Sequence, residues 1–161
     1  MAGTVSNPRD LLVLLLGELL HVERRLAGGV IHDLADAVHD DELRLTLRAH
    51  LDETVRHVER LESTFRRIEV APTANLSRPF ESAVAQHDEL ASSIVGFGLA
   101  DTFHALAALH TEHWEIAAYE TVLRVAPAEV AELLEPTLDD ERRAAERLLE
   151  QLGAGERAWQ R

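Results

Sequence analysis

The sequence predicts an all-α fold, a bundle of four long helices, and three observations carry that prediction. Apolar residues make up 46% of the 161 positions but aromatic ones only 4%, so the core has to be built from Leu, Ala, Val and Ile, as in helix bundles. Apolar side chains recur at the 3.6-residue period over four long stretches. The first and second stretches, and the third and fourth, are separated by only a few residues, which makes each pair antiparallel neighbours. The length suits one domain, residues 1–161, with a core over about 8–152 and a crossover over 71–100.

Residues 1–6 carry no helix signal. Asn7 then reads as a cap, Pro8 as the first helical position, and Asp10 as an acid that favours the helix dipole. The first helix extends to about His39, with Leu12, Leu16, Leu19, Glu23, Leu26, Val30 and Leu34 on one side. Gly28 and Gly29 interrupt it at about 1 kcal/mol each relative to Ala, so a bend is expected there. After a short turn Asp40 caps a second helix running to about Val70. Its inward stripe is Leu43, Leu47, His50, Thr54, His57, Val58, Leu61, Phe65 and Ile68. Residues 71–79 form a loop by their Pro and polar content, and Pro79 to Val95 a shorter helix ended by Gly96, Phe97 and Gly98. Asp101 is expected to cap the third long helix. One face of that helix holds Ala105, Ala108, Leu109, Glu112, Glu115, Ile116, Tyr119, Val122 and Leu123. Pro127 opens the last helix, with Leu134, Leu138, Glu141, Ala145, Leu148 and Leu152 inward. Pro136 predicts a kink within it, and Gly153 and Gly155 its end.

Two helices of about 28 residues are each about 42 Å long. The roughly 30 residues from 71 to 100 can return along such a length before the third long helix begins. Two antiparallel pairs joined by one long crossover is the connectivity of a ferritin-like four-helix bundle, here with a short extra helix in the crossover.

Composition excludes several function classes. A formal charge of −13, with all basic residues Arg, argues against a nucleic-acid or anionic-membrane partner. The absence of Cys removes disulfides, zinc fingers, iron–sulfur clusters and thiol chemistry. The run Leu11 to Leu16 meets Glu18 too soon for an export signal and is far short of the roughly 20 apolar residues that span a bilayer, so a cytoplasmic protein is expected.

The informative feature is acid inside the apolar stripes. Each long helix has one at mid-length: Glu23, Glu53, Glu112 with Glu115, and Glu141, while the second helix adds His50 and His57. His50, Glu53 and His57 are spaced three and four apart, close enough for their side chains to converge. An ionised carboxylate in a dry core costs several kcal/mol unless it is paired, protonated or bound to metal. Glutamates converging from four helices, with imidazoles completing the shell, are what a di-iron or di-manganese site requires.

Four segments carry a family resemblance: Ala49-His50-Leu51-Asp52-Glu53-Thr54, then Val58-Glu59-Arg60-Leu61, then Glu112-His113-Trp114-Glu115-Ile116-Ala117-Ala118-Tyr119 preceded by Asp101, and Thr137-Leu138-Asp139-Asp140-Glu141. Over about residues 9–152 the chain resembles the YciF/YciE-type ferritin-like stress proteins. That resemblance implies a rubrerythrin-like bundle, often dimeric, with a two-metal centre and no settled activity. By residue match, Glu23, Glu53, the pair Glu112 and Glu115, and Glu141 fall on the family's acids. Ala145 stands where an acid is usual, and neither it nor Ala144 can supply a second helix-four histidine. Of two Fe or Mn ions per chain, one position is therefore expected to be weakened, or completed by Glu115 or water. His57 is atypical and could compensate.

Two readings follow. In one, a homodimeric metal protein handles O2 or peroxide, or oxidises Fe(II). In the other, a non-enzymatic stress-associated bundle acts through dimerisation or a partner, its acids neutralised by protonation or by Arg60, Arg124 or Arg142. Tyr119 either bonds a ligand carboxylate or satisfies its hydroxyl locally. His104, His110 and His113 are expected to face outward, and Glu120, Glu129, Glu132 and Glu135 to form a solvated face.

Overall fold

The computed structural model of the chain describes residues 4–159, with side chains through residue 153. Helix α1 spans Pro8–Arg25, α2 Ile31–Ala37, α3 Asp41–Arg67, α4 Arg78–Ala91, α5 Phe97–Val125 and α6 Ala128–Trp159. No strand occurs among the described residues. Helices α5 and α6 pack together, α6 lies against α3, α3 against α1 and α2, and α1 against α5. The ring closes, giving the ferritin-like four-rod bundle that the connection lengths predict. Helix α4 lies outside it and makes its main contact with α5.

The ends of α1 and α3 follow the sequence. Asn7 accepts from the Asp10 amide at 2.9 Å, Pro8 opens α1, and Asp40 accepts from the Leu43 amide at 2.8 Å. The Gly28–Gly29 bend is a single wide turn, Leu26–Val30, in which the Ile31 N–H reaches back five residues to the Leu26 carbonyl. A π turn holds one extra residue, so the inward face advances by one position beyond it. Ile31, Ala35 and Val38 are buried, whereas Val30 and Leu34, expected in the stripe, are only half-buried.

Further expectations are corrected. Helix α5 begins at Phe97, with Gly96 before it at φ 105°, a conformation that glycine adopts without penalty. Asp101 is therefore inside α5 and does not cap it. Its carboxylate instead accepts from the His39 and Asp40 amides at 2.8 and 3.0 Å, tying α5 to the connection before α3. Helix α4 stops at Ala91, short of the expected Val95, and α6 runs unbroken through Pro136 and past Gly153. The crossover is pinned at Gly17, where the Asn75 amide donates to the Gly17 carbonyl at 2.8 Å and a Cβ would collide with the Asn75 side chain.

The buried apolar residues fall into two clusters. One holds Leu12, Leu16, Leu19, Leu20, Leu61, Phe65, Tyr119, Val122, Val130, Leu134 and Leu138. The other includes Leu26, Ile31, Leu43, Leu47, Ala105, Ala108, Leu109, Ala145 and Leu148. On α3, α5 and α6 the stripe acids and histidines lie in sequence between the two, and on α1 Glu23 lies where they meet. Glu23 follows Leu20 of the first cluster and Val22 of the second, His50 and His57 separate Leu47 from Leu61, Glu112 and Glu115 separate Leu109 from Tyr119, and Glu141 separates Leu138 from Ala145. A polar layer thus divides the core.

Candidate metal centre

Glu23, Glu115 and Glu141 are wholly buried and Glu112 nearly so; His57 and His50 are buried with them. Ligand atoms of His50, Glu112, Glu115 and Glu141 lie within 4.8 Å of one another, and so do those of Glu23, His57 and Glu141. Glu141 belongs to both groups, as a carboxylate bridging two ions does. Six of the seven expected residues are brought together in this way. The seventh, Glu53, is outside both groups and accepts from Arg147 at 2.7 Å.

Glu53 and Asp140 stand behind the histidines. His50 Nδ1 is 3.3 Å from Glu53 Oε2, and His57 Nε2 is 3.3 Å from Asp140 Oδ2. An ionised carboxylate only accepts, so each ring carries its proton on that rear nitrogen. The front nitrogens, His50 Nε2 and His57 Nδ1, are left facing the glutamates with a lone pair in the neutral ring. Each rear acid is held in turn by arginine, Glu53 by Arg147 and Asp140 by Arg60 and Arg143. Carboxylate–histidine pairs of this kind orient metal-ligating imidazoles. The Asp140 role was hidden in the sequence, because an acid beside Glu141 on a helix reads as solvated.

The front of the site is arranged differently. His57 Nδ1 is 2.9 Å from Glu141 Oε1 and 3.4 Å from Glu23 Oε2, yet neither contact has hydrogen-bond alignment. His50 Nε2 is 3.1 Å from Glu112 Oε1 and 3.8 Å from Glu141 Oε2. Both oxygens of Glu115 and of Glu141, and one each of Glu23 and Glu112, are buried without a hydrogen-bond partner. Such atoms are uncommon in a folded interior, where orphaned acceptors cost about 1–3 kcal/mol each. Donors that crowd together without pairing fit a cation between them. The other Glu23 oxygen accepts from the Tyr119 hydroxyl at 2.5 Å, so Tyr119 bonds a candidate ligand.

Charge gives the same answer. Burial, followed by the Glu141, Glu23 and Glu112 carboxylates, pushes Glu115 well above the usual carboxylate range. Burial also raises Glu23 and Glu141, with His57 opposing it in each case. Burial works against a charge on His57, but Glu141 and Glu23 overcome it and bring the ring to about 10. His50 is likewise held well above its ordinary value against burial, chiefly by Glu112. Two imidazolium rings offset only half of four buried carboxylates, whereas two divalent cations with neutral rings balance all four.

None of the arginines proposed as neutralising partners reaches Glu23 or Glu141. Arg60 is on Asp140, and Arg142 on Glu120 and Asp139. Ala145 is buried in the apolar cluster beyond Glu141 and offers no ligand atom. The two groups are accordingly unequal, with four donors around His50 and three around His57. His110 and His113 are exposed as expected, and so are Glu120, Glu129, Glu132 and Glu135. His104 is not; it is buried, 3.0 Å from His87 Nε2. No described helix is long and apolar enough to cross a membrane.

Comparison with known proteins places the fold in company. A family model described as a domain of unknown function, DUF892, matches residues 7–158. Protein YciF of Escherichia coli K12 is 27% identical over 141 residues, covering 83% of this chain and 82% of that protein. The crystal structure of the E. coli stress protein YciF superposes with a TM-score of 0.89 at 23% identity, over 95% of this chain and 99% of that one. YcfI from Rhodopseudomonas palustris superposes with a TM-score of 0.88, also at 23% identity, over 92% and 96%.

Proposed function

The chain belongs to the DUF892 family, and on that footing we propose that it is a two-metal carboxylate protein binding iron or manganese, with a stress-related role like that named for YciF. The observation that carries this reading is the set of buried glutamate oxygens without partners, converging on two histidines whose rear nitrogens are already tied down. His50, Glu112, Glu115 and Glu141 would hold one ion and Glu23, His57 and Glu141 the other. Bound there as a pair, such ions would supply one-electron chemistry toward O2 or peroxide, or Fe(II) oxidation. The chain's own contribution is orientation and exclusion. Glu53 and Asp140 fix the imidazoles, Tyr119 holds Glu23, and the apolar clusters on either side keep Glu23, Glu115 and Glu141 out of water.

Elemental analysis of protein purified without chelator is expected to give more than one Fe or Mn per chain, with O2 or peroxide consumed on adding Fe(II). Metal-free protein recovered from metal-replete cells, with no thermal shift on adding Fe(II), would refute the assignment.

A second reading, assembly into a homodimer, is favoured by one patch. Val95, Phe97 and Leu99, around the start of α5, are 89%, 69% and 59% exposed. Light scattering that gives twice the chain mass, reduced to one by Phe97→Ser with Leu99→Ser, would support it.

A further inference from the structure

A cavity of about 940 Å³, partly open to solvent, lies beneath the crossover helix between α4, the π turn, α2, α3 and α5. Its size falls within the range of about 300–1,000 Å³ typical of small-molecule sites. The walls are largely apolar, with Leu26, Ile31, Phe80, Val84, Phe103 and Trp114 among them. At depth it touches His50 and Glu112, whose side chains are 6% and 4% exposed, but none of Glu23, His57, Glu115 or Glu141. Only one of the two candidate ion positions therefore borders the cavity. An occupant that reaches those two residues has to pass between the helices, which a folded partner cannot do and a slender molecule can.

The wall also carries Arg25, Asp33, Gln86, His110 and Thr111, but its buried polar side chain away from the metal centre is His104, which pairs with His87. His87 Nδ1 is 3.2 Å from Asp88 Oδ1, and a carboxylate only accepts, so the proton sits on His87 Nδ1. When His87 is neutral its Nε2 accepts, and the contact at 3.0 Å then has His104 Nδ1 donating to it. That assignment leaves His104 Nε2 as a bare lone pair, without a hydrogen-bond partner among the described residues. A neutral ring suits the place, since burial holds His104 below its ordinary value.

We infer that this cavity binds a small, predominantly apolar molecule with a hydroxyl group, an alcohol or a phenol, whose O–H donates to His104 and whose body reaches the His50 and Glu112 side of the metal centre. Its placement beside an ion rests on the two-metal reading above; binding in the cavity does not.

The test uses the full chain, metal-free and Co(II)-loaded, with the neutral fluorophore N-phenyl-1-naphthylamine as probe. Saturable uptake of one probe per chain is expected in both forms. Decan-1-ol is expected to displace it about tenfold more tightly than decyl methyl ether, the margin of about one buried hydrogen bond. Ala107→Trp on α5 and Val84→Trp on α4 fill the cavity from opposite sides, and each is expected to weaken probe binding at least about tenfold. His104→Phe is expected to abolish the preference for the alcohol while keeping the probe bound. In the Co(II) form, decan-1-ol is expected to shift the visible absorption of the metal. Absence of saturable binding, binding unchanged in both tryptophan variants, or an ether as good as the alcohol overturns the inference. So does a wild-type dimer that takes up no probe and is split by the tryptophan variants, because a second copy then covers the cavity. Probe binding without Co(II) uptake overturns the two-metal reading and the placement of the ligand beside an ion. Co(II) uptake without probe binding overturns the cavity assignment alone.

Discussion

Replacing Glu115 with Leu separates a carboxylate kept for metal from one kept for the fold. Both Glu115 oxygens are buried without partners, and its neighbours Glu141, Glu23 and Glu112 are acids. In metal-free protein the side chain is therefore a liability. Two orphaned acceptors at about 1–3 kcal/mol each set an upper bound, and protonation of the acid removes part of it, leaving a gain of about 2 kcal/mol on substitution. A domain of this size moves about 2–4 °C in Tm per kcal/mol, so the metal-free variant is expected to melt about 4–8 °C above the wild type. Adding Fe(II) or Mn(II) should reverse the order. Free metal at a hundred times Kd stabilises the wild type by about 2.7 kcal/mol per site, and a variant without Glu115 loses most of that at the His50 position. Thermal melts of both proteins with and without metal, after chelation and gel filtration, read all four corners. A metal-free Glu115→Leu that melts several degrees lower, or equal metal-induced shifts in the two proteins, would refute the reasoning.

Other outcomes follow from the same geometry. His50→Ala and His57→Ala each remove one imidazole from one group, so each is expected to lower metal content by about one ion per chain. Elemental analysis that finds two ions in either variant contradicts the pairing of donors. Asp101→Ala removes the two hydrogen bonds that its carboxylate accepts from the His39 and Asp40 amides and is expected to cost about 2 kcal/mol, or about 4–8 °C, without altering metal content. Metal-free protein should lose stability as pH rises. Folded His57 at about 10 binds a proton that the unfolded ring, at 6.5, releases, so its contribution is full below 6.5 and fades toward 10. Metal displaces that proton, and urea titrations of the loaded protein should be flatter across the same window.

What could be read from the sequence was whatever repeats with the helix period. Four rods, the crossover and the burial of Glu23, Glu112, Glu115 and Glu141 all follow from a carboxylate recurring where an apolar residue belongs. The misses share a cause: each depends on an offset or a partner that periodicity does not encode. The π turn at Leu26–Val30 adds one residue to a turn, which moved the stripe from Val30 and Leu34 to Ile31 and Ala35. Asp101 looked like a cap because a capping residue and a mid-helix acid share an alphabet; its two amide partners are about sixty residues away. Glu53, three residues from His50 and four from His57, reads as a ligand by spacing, but Arg147 holds it from α6.

That contest over Glu53 is also the best argument about what the buried layer is for. The bundle has arginine to spare for Glu53 and Asp140, which it holds by Arg147, Arg60 and Arg143, and gives none to the four acids a few ångströms further in. A fold that only had to tolerate carboxylates would neutralise the deepest first, since desolvation penalises them most. Here the compensated acids sit behind the histidines and the uncompensated ones in front. The order makes sense when the missing positive charge arrives from outside, as ions whose loading and removal the Glu115→Leu melts would register.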